Sequence, residues 1–95
     1  MAKIFKIEPV YCDQIPENME EGKLYISEKY GVANHLCACG CGQQTVTDLK
    51  PYWNDGWDKT ESNGKVTLRP SIGNFKRESP YHAHYYITGN KIEWL

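Results

Sequence analysis

Residues 32–48 read VANHLCACGCGQQTVTD. Val32 to Leu36 leads into a dense cysteine cluster, and Gln44 to Asp48 leads out of it. These flanks are expected to pair as a hairpin, with Cys37-Ala38-Cys39-Gly40-Cys41-Gly42 at its tip. His35, Cys37, Cys39 and Cys41 are spaced by two. In an extended strand, neighbours of that spacing point the same way but stand about 6.6 Å apart. Ligands of one tetrahedral zinc ion lie within about 4 Å of each other, given Zn–S bonds of about 2.3 Å. The segment must therefore curl, and Gly40 and Gly42 permit it because glycine accepts positive φ.

The rest of the chain carries strand signals at short intervals. Lys3 to Glu8 reads as a first strand ended by Pro9. Asp13 to Gly22 is polar and reads as a loop or one helical turn. Lys23 to Ser27 alternates, with Leu24 and Ile26 on one face. Lys50 to Ser62 reads as a loop. Asn63-Gly64 is a turn before a strand at Lys65–Arg69, and Pro70 to Asn74 reads as another turn. Ala83 to Thr88, the Gly89-Asn90 turn and Lys91 to Leu95 form a C-terminal hairpin. On it, His82, His84 and Tyr86 share one face, and Tyr85 and Ile87 the other. The expectation is a mainly β fold of about six short strands with little helix. It is a single domain over residues 1–95, built as a small antiparallel sheet or half-barrel with a zinc-binding turn.

Composition narrows the function classes. The chain has 95 residues, 11 Lys and Arg against 12 Asp and Glu, and a net charge of -1. Charges of both signs are interspersed, so a nucleic-acid footprint is not expected. Arg69, Lys76 and Arg77 around Pro70–Asn74 read as a solvated loop, since three charges make little electrostatic footprint. No apolar run suits a signal peptide or a membrane span. A cytoplasmic protein with a protein partner is expected, and in that compartment four cysteines favour metal ligation over disulfides.

Structural zinc takes four protein ligands. The primary set is Cys37, Cys39, Cys41 and His84, with His35 and His82 in reserve and one Zn2+ per chain. The default reading of His35 is a hydrogen-bonded core histidine, and Cys12 reads as a small buried hydrophobe. Three adjacent thiols fit ligation better than nucleophilic catalysis, although Cys41 with His84 makes a conceivable nucleophile–base pair. No catalytic residue is assigned. Trp53 and Trp57 are candidate partner anchors, one of them reaching the core. Tyr85 and Trp94 should pack across the C-terminal hairpin.

Four stretches in this order also resemble a domain-of-unknown-function family of small bacterial and phage proteins. They are Gly22–Ser27, His35-Leu36-Cys37-Ala38-Cys39-Gly40-Cys41-Gly42, Leu68-Arg69-Pro70-Ser71-Ile72-Gly73-Asn74 and His84-Tyr85-Tyr86-Ile87. The resemblance implies a compact metal-site domain, sometimes encoded near ubiquitin-like modification genes, without an established activity. It also implies a cysteine three residues before the histidine matching His84. Here Tyr81 stands at that position, which puts the weight on His84 or His82. The leading expectation is a zinc-stapled protein-binding or adaptor module. The alternatives are a small metal-dependent hydrolase, an accessory subunit of a ubiquitin-like modification system, or a phage-encoded inhibitor.

Overall fold

The hairpin expected around the cysteine cluster forms. In the computed structural model, Val32–Leu36 (β3) pairs antiparallel with Gln44–Asp48 (β4), from Val32↔Asp48 to Leu36↔Gln44. The structure describes residues 3–50, 52, 56–76 and 79–95, and for 74–76 and 79–82 the backbone only. Around β3 and β4 lie Glu8–Tyr11 (β1) and Lys23–Ser27 (β2), giving a sheet of order β1-β2-β3-β4. Asp58–Ser62 (β5), Lys65–Lys76 (β6), Ser79–Thr88 (β7) and Lys91–Trp94 (β8) form a second sheet in sequence order. All neighbours are antiparallel except β1 and β2. The fold is mainly β, and no helix occurs among the described residues.

Both sheets contribute to one core. Leu24, Ile26 and Ala33 come from the first, Leu49 follows its last strand, and Val66, Leu68, Ile72, Ala83, Tyr85, Ile87 and Ile92 come from the second. The radius of gyration, 12.4 Å, is that of one compact body of this length, about 12–13 Å. Two crossings join the sheets. The N-terminal segment first lies along β8, with Ile7 N–H on Asn90 O, Ile92 N–H on Phe5 O and a bridge between Lys6 and Lys91. It then passes to β2 as β1. At the other corner, Leu49 bridges Trp57.

Several boundaries differ from the sequence expectation. The first strand is Glu8–Tyr11, with Pro9 inside it. β1 is an edge strand, where a missing N–H is tolerated. Residues 58–62, expected as loop, form β5 because Lys65–Arg69 offers them a ladder through the Asn63-Gly64 turn. The expected turn at Pro70–Asn74 is the continuation of β6, which runs twelve residues. Local turn chemistry loses there to pairing with β7. Among the described residues there are eight strands instead of about six. The parity of β7 holds: Ala83, Tyr85 and Ile87 are buried, and His84 and Tyr86 face the other way. Tyr85 packs on Trp94 with ring centroids 5.1 Å apart.

Candidate functional site

The thiol turn is the first site. Gly40 and Gly42 adopt φ of 87° and 82°, the left-handed conformation the curl requires. Cys37 N–H donates to Gln43 O at 2.8 Å and Gly40 N–H to Cys37 O at 3.1 Å, closing the loop above the hairpin. The Sγ atoms of Cys37, Cys39 and Cys41 all lie within 4.8 Å of one another. Cys37 and Cys39 sulfurs are 3.4 Å apart, and none of the four cysteines is in a disulfide. Gln43 N–H lies 3.5 Å from Cys41 Sγ.

Soft donors at this separation fit one thiophilic ion such as zinc, whose sulfur ligands sit just under 4 Å apart. The electrostatics agree. Burial, with the neighbouring thiols of Cys41 and Cys37, pushes the Cys39 thiol up to about 12. Three thiolates this close would repel, so a cation is the natural replacement for their protons. Cys12 stands apart, partly exposed rather than buried, in a shallow surface recess with Tyr11, Asp13 and Ile26.

The histidines go to different places. His35 is fully buried on the core face of β3. Its Nε2 lies 2.7 Å from Tyr85 Oη, and the same oxygen lies 3.3 Å from Ala38 N. An N–H must donate to the phenol oxygen, so Tyr85 accepts from Ala38 and its own hydrogen is available to His35 Nε2. Burial lowers the His35 pKa to about 4, which keeps the ring neutral at physiological pH. Its Nδ1 is buried without a partner among the described residues. His84, the expected fourth ligand, does not join the three thiols in their group. Its Nε2 lies 2.8 Å from Ser71 Oγ. The side chain of His82 lies outside the described residues, as does Trp53. Trp57 packs half-buried against the core, with its indole N–H buried.

The Ser71–His84 contact is a second site, and the ladder shows how it arises. Leu68 pairs with Ile87 and Ile72 with Tyr85, so β6 spends four residues (72 − 68) where β7 spends two (87 − 85). The excess is a bulge at Arg69-Pro70-Ser71, and bulges re-aim side chains. Arg69 braces it, donating to Leu68 O at 2.8 Å, to Ile87 O at 3.3 Å and to Thr88 Oγ1 at 2.8 Å, with its guanidinium 4.5 Å above the Tyr86 ring. Gly73 pairs directly with His84. Ser71, two residues earlier, presents its hydroxyl on the same face, while Ile72 between them is buried in the core. A half-buried serine hydroxyl on an imidazole nitrogen is the arrangement from which serine nucleophiles are activated.

Sequence reasoning did not find Ser71. A single serine carries no spacing signal, and its partner lies thirteen residues away on another strand. Its one visible mark was membership in the Pro70–Asn74 motif.

Among the described residues no helix is long and apolar enough to cross a membrane. No curated protein and no solved structure gives a significant match to the chain. The family profile for BubE, described as bacterial ubiquitination-like system serine protease, matches residues 11–95. That span holds both the thiol turn and the Ser71–His84 pair, and the chain belongs to the BubE family.

Proposed function

We propose that this protein is a serine peptidase acting within a bacterial ubiquitination-like system, with Ser71 as nucleophile and His84 as general base. The observation that carries this reading is the 2.8 Å contact between Ser71 Oγ and His84 Nε2. The family description supports it, since it names a serine protease. With its ring proton on Nδ1, His84 accepts the Ser71 hydroxyl proton as Oγ attacks a substrate carbonyl. The imidazolium then delivers that proton to the leaving amine, and the C–N bond breaks. Water attacks the acyl-enzyme by the same route in reverse, giving the carboxylic product and restoring the Ser71 hydroxyl. A protein partner follows, because the substrate is a polypeptide.

Zinc is proposed as the ion of Cys37, Cys39 and Cys41, with a structural role. It would fix the turn whose Ala38 N–H reaches Tyr85, the residue next to His84. His84 then serves as the general base, and a fourth ligand comes from elsewhere.

An alkyl fluorophosphonate tests the reading. It should add covalently to Ser71, as located by peptide mass spectrometry. Ser71→Ala should abolish the adduct, and His84→Ala should slow it by about 10²–10⁴-fold. Labelling at another residue, or an unchanged rate in His84→Ala, overturns the assignment.

A further inference from the structure

Among the described residues, the sheet around Ser71 has an open edge, and the backbone there is directed outward. β5 accompanies β6 only as far as Asp58↔Arg69. The residue before β5, Trp57, turns to the other sheet, with its N–H on Asp48 O at 2.7 Å and its carbonyl accepting from Lys50 N–H at 2.9 Å. Among the described residues, no strand pairs with β6 beyond Arg69 on the side away from β7. Leu95 N–H donates to His84 O at 3.0 Å, so the His84 carbonyl points away from β6. In an antiparallel ladder, two directly opposed residues either both bond to each other or both point outward. Gly73 is paired with His84, so its N–H and C=O point outward too, into the open edge.

Gly73 has a second distinguishing property. Six glycines of the chain have positive φ, and Gly73 is not among them. Its conformation therefore admits any residue, and glycine weakens a strand interior. What glycine supplies is the missing Cβ on the Ser71–His84 face, which lets another backbone approach closely.

We propose that the open edge of β6 at Gly73 binds the substrate as an extended strand, holding the acyl side of the scissile bond by main-chain hydrogen bonds to Gly73 N–H and C=O. The proposal rests on the serine-peptidase reading. The acyl side is the segment held because it stays attached to Ser71 through both half-reactions. The substrate class is a flexible, extended polypeptide segment, read through its backbone. A folded loop cannot present a free strand to this edge.

The test compares two phosphonate probes bearing the same diphenyl ester warhead, one on acetyl-alanine and one on acetyl-trialanine. In each, Ser71 Oγ forms the P–O bond and phenol leaves with the hydroxyl proton. The trialanyl probe should label Ser71 about tenfold faster or more, the scale of one or two main-chain hydrogen bonds. N-methylating the amides of its first two alanines should return the rate to that of the short probe. Gly73→Pro, which removes the outward N–H without touching the β6–β7 ladder, should bring the ratio of the two rates to about one. Should that variant misfold, the N-methyl comparison on the unaltered protein decides. No advantage for the longer probe, or an advantage that survives N-methylation, overturns the inference and leaves the peptidase reading standing. Failure of both probes and of the alkyl fluorophosphonate to label Ser71 overturns both.

Discussion

Replacing Tyr85 with phenylalanine tests the connection between the thiol turn and the strand that carries His84. The substitution keeps the ring, and with it the packing on Trp94 and the edge contact with His35. It deletes the oxygen that lies 2.7 Å from His35 Nε2 and 3.3 Å from Ala38 N. Both partners are fully buried, so neither regains a bond to water. Each orphaned group costs about 1–3 kcal/mol. The longer of the two bonds belongs at the low end, so Tyr85→Phe should destabilise the fold by about 2–4 kcal/mol. For a domain of this size that lowers Tm by roughly 8–30 °C, at 4–8 °C per kcal/mol. Urea unfolding gives the free energy, provided the slope of the transition stays unchanged. A cycle with His35→Leu isolates the shared bond, with an expected coupling of about 1 kcal/mol or more. A loss below about 0.5 kcal/mol, or strict additivity in the cycle, would refute this account of Tyr85.

Three further outcomes follow from other parts of the fold. His35 is neutral in the folded state, with its pKa lowered from 6.5 to about 4 by burial. The unfolded chain therefore binds the proton first, and stability falls as pH drops from about 6.5 to about 4. The full loss is about 3 kcal/mol, and His35→Gln should lack this component when unfolding is followed across that range. Cys39→Ser should reduce bound zinc and lower Tm well beyond Cys12→Ser, as read by elemental analysis and thermal scans. Equal, small effects would argue that the thiols are ordinary packing. Gly56→Ala should destabilise by about 2 kcal/mol in denaturant titration, because its Cβ would stand 2.3 Å from Asp48 O. That backbone atom also accepts the Trp57 N–H that joins the sheets, so a neutral result would mean the crossing is not rigid.

Much of this architecture is local and was legible in the residues. The flanks of the cysteine cluster, the glycines of the thiol turn and the Gly89-Asn90 turn marked two hairpins. The strand parity also put Tyr85 and His84 on opposite faces. These follow from periodicity and dihedral preference, which operate over a few neighbours. The curl at Gly40 and Gly42 was a geometric necessity once three thiols were to meet.

The long-range features were not legible. Pro70–Asn74 has the composition of a turn, yet it is strand because β7 offers it a ladder. Pro9 marks a strand end by rule, yet it sits in β1 because that strand lies at an edge. The partner of His84 was the largest surprise: a histidine that reads as a ligand by residue type stands on Ser71 through a bulge that no local pattern announces. By itself, then, the sequence determined that the chain is β-rich, that its thiols converge and which residues of the C-terminal hairpin share a face. Only the tertiary structure decided that the bulged β6 and the outward face of β7 bring a hydroxyl and an imidazole together. Pairing across distant segments, with its register shifts, depends on contacts that no short window of residues contains.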